Sequence, residues 1–338
     1  MPATIIVDAF WGDSGKGKVT AHLSRLTDAG LAVRAGVGTN AGASFTLDDD
    51  TVAKHRQVPT AWVNPRTTLA VGPGVLVHPD ILAEEVDRYA IADRIVVDPR
   101  CGLITEQDLA EDAADEFLRE VVGTSGSGVG PARARYVNRK AQRVADLTTV
   151  PARVADVAEL ANTRSAAGET VLVEGAQGTQ LSLSLSFEYP CTTVKNCTSA
   201  AAMDDVGLNW RQVSNVVLVV KALPSRVGEG PLPHEMSHAE AVRRGIAEYG
   251  VNTGRPRRKA SRIDDELLRY ATLVNGPTQV ALTFADHLDP RVKGVRHRDG
   301  LTDEVRAVIA QVERITEAPV TMVDTGPYLS DLVDLPTD

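Results

Sequence analysis

The run Thr4-Ile5-Ile6-Val7-Asp8-Ala9-Phe10-Trp11-Gly12-Asp13-Ser14-Gly15-Lys16-Gly17-Lys18-Val19-Thr20-Ala21-His22-Leu23-Ser24-Arg25-Leu26 decides the fold class. Residues 4–10 are a short apolar, β-branched stretch of the kind that forms a buried strand, and residues 21–26 carry apolar side chains at helical spacing. Between them lie Gly12, Gly15 and Gly17 with Lys16 and Lys18. Strand, glycine- and lysine-rich loop, then helix is the context of a phosphate-binding loop: backbone N–H groups and the helix N-terminus face an anion.

Gly12, Gly17 and Lys18 nearly complete the common phosphate-loop pattern, which next requires Ser or Thr, and Val19 stands there. That hydroxyl normally holds Mg²⁺, so Asp13, inside the loop, is the alternative metal ligand. The competing reading is a solvated turn. Two lysines and an acid within one short loop argue against it.

Outward from this loop, strands are expected at 31–47, 69–77, 94–98, 171–174, 216–221 and 280–283. Helices are expected at 79–89, 106–121, 151–168, 237–249, 264–273 and 302–314. The alternation predicts an α/β fold with a mostly parallel central sheet flanked by helices. The whole chain, 1–338, reads as one continuous domain. Several Gly-, Ser-, Thr- and Arg-rich loops follow the strand ends, among them 123–131 and 175–179. Open α/β sheets bind ligands at the carboxyl ends of their strands, so these loops are expected to build one shared cleft.

The 338 residues are 43% hydrophobic and 24% charged, with three cysteines and a net charge of −9. Such a chain buries a sizeable core and is not disordered. It contains no apolar run long enough to span a membrane and no basic, signal-like start. The cysteines are too few and scattered for a disulfide framework, and a cytoplasmic location is expected. The acidic balance disfavours DNA and anionic membranes as partners. Positive charge is instead local: Gly250-Val251-Asn252-Thr253-Gly254-Arg255-Pro256-Arg257-Arg258-Lys259 is the densest basic segment. Glycine and proline make it a shaped loop rather than a basic helix. Guanidinium forks suit a dicarboxylate or a phosphate, the alternatives being a solvated face or a nucleic-acid patch. In 175–179, Gln177 either reads a nucleobase edge or sits in a structural connection.

Together these motifs resemble adenylosuccinate synthetase over most of the chain. The resemblance runs through 11–18, 38–42, 124–131, 174–179, 220–222, 226–231, 253–258 and 325–327. It implies ligation of the aspartate α-amine to C6 of a 6-oxopurine nucleotide through a 6-phosphoryl intermediate. Asp13 is then the general base and, with the Gly42 carbonyl, a Mg²⁺ ligand, while Lys16 and Gln177 serve catalysis. The triphosphate falls to Gly12, Ser14, Gly15, Gly17, Lys18, Val19 and Thr20, with Phe284, Asp286, Thr325 and Gly326. The purine monophosphate falls to Ser14, Asn40, Ala41, Ser125, Gln177, Thr193 and Val227, and to Arg139 reaching across a homodimer interface. Aspartate falls to Asn252, Thr253, Gly254, Arg255 and Arg257.

The chain departs from the family pattern at three site positions. Ser14 replaces a glutamate, leaving room and an acceptor for an extra amino group such as the 2-amino group of guanine. Ala43 replaces a histidine, with Ser44 beside it. Phe284 replaces the lysine that covers the triphosphate base, which points to ATP over GTP. These departures resemble a viral branch of the family that uses dGMP. The expected reaction is dGMP with L-aspartate and ATP or dATP, giving 2-amino-2′-deoxyadenylosuccinate in a host cytoplasm. The alternative is the ordinary reaction of IMP, aspartate and GTP. A phosphate-loop regulatory NTPase leaves the 253–258 loop and Gln177 without a purpose. A catalytically dead subunit is contradicted by the retained Asp13, Lys16, Arg255 and Arg257.

Overall fold

The computed structural model describes residues 3–249, 254 and 256–336. Its centre is a ten-stranded sheet. From one edge the order is Leu332–Asp334, Val320–Asp324, Gln279–Thr283, Val213–Lys221, Ala3–Asp8, Val171–Glu174, Leu31–Arg34, Thr68–Val71, Ile95–Val97 and Arg153–Val154. Every neighbouring pair is parallel except the outermost one, Val320–Asp324 with Leu332–Asp334. The expected α/β architecture is therefore the observed one.

The central strands are apolar throughout because both faces are covered. Period-two alternation then sends neighbouring side chains into different layers. Ile5 and Val7, Val171 and Val173, and Leu218 and Val220 enter one core; Ile6, Leu172, Val217 and Val219 enter the other. Among the described residues, no helix is long and apolar enough to cross a membrane.

Several expected elements are shorter or split, and the breaks fall at turn residues. The 31–47 segment yields Leu31–Arg34 in the sheet and Ala43–Thr46 outside it, where it pairs antiparallel with Val52–His55. Gly36, Gly38 and Gly42 lie between the two pieces. Gly72-Pro73-Gly74 divides 69–77 into Thr68–Val71 and Leu76–Val77. The 106–121 helix ends at Ala114, and a wide turn follows at Leu118–Val122. The 151–168 helix begins only at Val157, where Asp156 caps it; before it, Arg153–Val154 joins the sheet edge. The 237–249 helix spans only His238–Arg243, with Gly245 at φ 70° just beyond.

Candidate active site

The opening strand ends at Asp8, and the next helix, Lys16–Leu26, begins after Gly15 in the left-handed region (φ 81°). The first-turn amides of this helix face the carboxyl end of the sheet. Gly17 permits the close approach of the 43–46 strand, since a Cβ there would lie 2.5 Å from the Ala43 methyl and 2.8 Å from Thr60 Cγ2. A cleft of about 550 Å³ opens above the strand ends. Its walls include Gly12 to Lys18, Asn40 to Ser44 and Gly175 to Gln177. Ser125, Thr193, Val227, Arg257 and Phe284 line it as well. Loops after five different strands thus converge, as the sequence predicts.

Asp13 projects into this cleft from a left-handed backbone (φ 52°), and its Oδ2 lies 2.9 Å from Arg257 Nε. The contact is an ion pair without an aligned hydrogen bond, because Arg257 Nε finds no hydrogen-bond acceptor. Gln177 (φ 59°) and Phe284 (φ 57°) share the strained conformation. Non-glycine residues at positive φ cluster at sites where a side chain must be held in one direction.

The two lysines of the loop serve different partners. Lys16 Nζ lies 3.1 Å from Asp8 Oδ2, and both are buried. Lys18 Nζ donates to Asp324 Oδ1 (2.6 Å) and to the Gly326 carbonyl (2.7 Å). Its charge therefore ties the loop helix to the turn at 325–326. Thr325 sits in that turn, its hydroxyl donating to the Val295 carbonyl. Val19 is buried in an apolar layer and the Thr20 hydroxyl donates to the Lys16 carbonyl, so neither lines the cleft. Ser14 does, and its buried hydroxyl has no hydrogen-bond partner.

Across the cleft, Asn40 Nδ2 donates to Thr193 Oγ1 (3.5 Å), leaving Asn40 Oδ1 buried and unpartnered. The Ser125 and Ser127 hydroxyls are 2.9 Å apart. Ala43 faces His55 across the short hairpin. The His55 ring is buried and pushed down to about 3, chiefly by burial, then by Arg34 and Arg88, so it is neutral. Its Nε2 accepts from Trp62 Nε1 (2.9 Å), which puts the ring proton on Nδ1, and Nδ1 has no partner.

Phe284 lines the cleft with Lys221 Nζ 4.2 Å from its ring centroid. Asp286 lies two residues on, in the short helix Ala285–Leu288, and is not among the cleft-lining residues; burial first and Asp324 second push its carboxyl up to about 6. Arg139 is exposed at φ 62°, outside the cleft, as is Gly254. Asn252, Thr253 and Arg255 lie outside the described residues. For Mg²⁺, Asp13 offers a carboxylate and Gly42 a backbone carbonyl, hard oxygen donors from two residues that line the cleft. They suit an ion that keeps waters and binds substrate phosphates. Among the described residues, no group of three or more acidic, His or Cys side chains is arranged to hold a metal.

Several site residues carry no motif of their own. Asp8 was legible only as the polar end of an apolar strand. Arg34 donates to Glu174 Oε1 (2.5 Å), and Glu174 Oε2 accepts from the Thr60 amide and hydroxyl (2.8 Å each). Glu188 accepts from Trp11 Nε1 (3.1 Å) and pairs with Arg226, fastening the first loop to the 188–193 segment. Trp11 and Glu188 are 177 residues apart and Arg34 and Glu174 are 140 apart, and only the fold brings such pairs together.

The adenylosuccinate synthetase family model matches residues 5–154 and 148–292. The adenylosuccinate synthetase of Archaeoglobus fulgidus is 41% identical over 335 residues, covering 99% of this chain and 98% of that protein. That of Methanocaldococcus jannaschii is 39% identical over 338 residues, covering 99% and 97%. Among solved structures, fully ligated adenylosuccinate synthetase from Plasmodium falciparum superposes with a TM-score of 0.89 at 21% identity, covering 99% of this chain and all of that one. The cyanophage S-2L succinoaminodeoxyadenylate synthetase, bound to dGMP and to dATP as an energy donor, superposes with a TM-score of 0.81 at 24% identity, covering 99% and 96%.

Proposed function

Because this chain belongs to the adenylosuccinate synthetase family, and is thereby a carbon–nitrogen ligase that uses aspartate, we propose that its cleft joins the α-amine of L-aspartate to C6 of a 6-oxopurine mononucleotide. The observation that carries this reading is that a carboxylate, an ammonium and a guanidinium, those of Asp13, Lys16 and Arg257, belong to residues lining one cleft, with Asp13 and Arg257 paired. Asp13 accepts the proton from purine N1. O6 then attacks the γ-phosphorus, the bond to the β-bridging oxygen breaks, and a nucleoside diphosphate leaves. Lys16 and the first-turn amides offset charge on the migrating group. Gln177 holds the purine edge. Arg257 holds an aspartate carboxylate so that the amine reaches C6, after which the C6–O bond breaks and orthophosphate departs with the former O6. Mg²⁺, when bound by Asp13 and the Gly42 carbonyl, neutralises triphosphate charge.

IMP is the first reading of the purine, supported by the full-length likeness to archaeal adenylosuccinate synthetases. GTP is its energy donor. The second reading is dGMP with ATP or dATP, giving 2-amino-2′-deoxyadenylosuccinate. One observation favours it: a buried Ser14 hydroxyl on the cleft wall lacks a partner, and an unmet buried hydroxyl costs about 1–3 kcal/mol. A purine 2-amino group supplies that partner and hypoxanthine does not. In either reading the exposed Arg139 is the residue a second copy of the chain receives, forming a homodimer in the cytoplasm.

A substrate matrix tests the proposal: IMP, GMP and dGMP against GTP, ATP and dATP, each with aspartate, with product mass measured. A succinylated product is expected, with the favoured mononucleotide deciding between the readings. ¹⁸O placed at O6 is expected in the released orthophosphate. Triphosphate hydrolysis independent of aspartate and purine overturns the proposal in favour of a regulatory NTPase.

A further inference from the structure

Behind Phe284, four ionisable side chains outside the assigned machinery are packed together. Lys221 Nζ donates to Ser225 Oγ (2.7 Å) and to Glu248 Oε2 (2.8 Å). Lys259 Nζ also lies 2.8 Å from Glu248 Oε2 and 3.0 Å from His287 Nδ1. Both lysine side chains are 1% exposed. Burial pulls against the Glu248 carboxylate, but Lys221 and Lys259 hold it well below the usual carboxylate range. Burial, then Lys259, pushes His287 down to about 3, so its neutral ring accepts from Lys259. One carboxylate thus faces two buried ammonium groups, and burial, then Lys221, pushes Lys259 down to about 8.

The backbone at Glu248 has a second duty. Its carbonyl accepts from the Arg257 amide (2.8 Å), and Tyr249 bridges Pro256 antiparallel. The Glu248 backbone is thereby joined to that of Arg257, whose guanidinium reaches Asp13. Lys221 belongs to a central strand of the main sheet, and Lys259 to Arg258–Ala260, which pairs with Ser225–Arg226 and Glu235–Met236. Both lysines are therefore held by their strands, whereas Glu248 lies outside helix and strand. Without its charge, two buried ammonium groups face one another unneutralised, and displacement of Glu248 moves the backbone that sets Arg257.

We propose that Glu248, clamped between Lys221 and Lys259, is a positioning residue that holds Arg257 at Asp13 for the aspartate carboxylate. This rests on the ligase reading above. The test is Glu248→Gln in the full chain, with steady-state constants measured for each substrate separately. A rise of at least tenfold in the KM for aspartate is expected, with the KM for the triphosphate and the Kd of the purine mononucleotide within twofold. Glu248→Asp keeps the charge and shortens the reach, and a smaller rise in the same constant is expected. An unchanged aspartate KM overturns the inference, as does a parallel rise in both KM values. Loss of mononucleotide binding in both variants also overturns it, because the cluster then supports the fold as a whole. If the unaltered protein turns over no aspartate, the ligase reading fails and this inference with it.

Discussion

Arg257 Nε lies 2.9 Å from Asp13 Oδ2, so the cation assigned to aspartate and the carboxylate assigned as base are in direct contact. Aspartate, on this reading, exchanges one carboxylate partner of Arg257 for another. Arg257→Ala is expected to raise the aspartate KM more than tenfold and the triphosphate KM by less than twofold. A charge-assisted hydrogen bond contributes about 1.5–3 kcal/mol, which corresponds to that range. Equal changes in both constants mean that Arg257 serves the phosphates instead.

Asp13→Asn keeps the shape of the side chain and removes its capacity to accept the N1 proton. A fall in kcat of about 10²–10⁴ is expected, the usual contribution of a positioned general base. Purine mononucleotide affinity, followed by calorimetry, is expected to stay within a few fold. Near-normal turnover in this variant removes Asp13 from the chemistry.

The central strand, the phosphate loop and the loop clustering were legible because each rests on local signals: β-branched runs, glycines at turns, lysines between them. What escaped the sequence is the set of partners. Asp8 looked like a strand end and is the counter-charge of Lys16. Lys18 looked like a phosphate ligand, and its ammonium is met by Asp324, 306 residues away. His55 carries no motif, yet register sets it opposite Ala43, where the family pattern has a histidine. Helix ends were misjudged where a single residue stops propagation, as with Gly245 after His238–Arg243. Hydrophobic period alone does not register such stops.

The Asp8–Lys16 pair offers a stability test. Asp8→Asn retains an acceptor for the Phe10 amide, which Asp8 Oδ1 now receives at 2.6 Å, but leaves the buried Lys16 ammonium without a counter-charge. Breaking one side of a buried pair costs about 3–5 kcal/mol. Urea unfolding is expected to show a loss of that order, with kcat reduced as Lys16 loses its fixed direction. A loss below about 1 kcal/mol, within the range of a surface ion pair, dissociates the pair from stability.

Asp286, raised to about 6 by burial and then by Asp324, gives a pH test with a definite sign. The folded protein retains this proton where the unfolded chain, near the ordinary aspartate value of 3.8, has released it. Its contribution to stability therefore falls as pH rises from about 4 to 6. On the triphosphate-base role that the family resemblance implies for Asp286, an ionised carboxylate suits two N–H groups of guanine, whereas the protonated form, donating one bond and accepting another, suits adenine. The KM for GTP relative to that for ATP is expected to fall as pH rises through 6. Asp286→Asn is expected to flatten that ratio; an unflattened ratio assigns the pH dependence elsewhere.

Cysteine chemistry reports occupancy of the cleft directly. Cys101 and Cys197 are buried, and burial raises both thiols, Cys197 to about 12. Neither forms the reactive thiolate near neutral pH. Cys191 is half-buried on the cleft wall, its carbonyl accepting from Arg226. Iodoacetamide at pH 8 is expected to modify Cys191 alone, as read by peptide mass. Saturating purine mononucleotide is expected to slow that modification severalfold, because Thr193, two residues on, is assigned to the same ligand. Aspartate alone is expected to leave the rate unchanged. Protection by aspartate and not by the mononucleotide exchanges the two subsites.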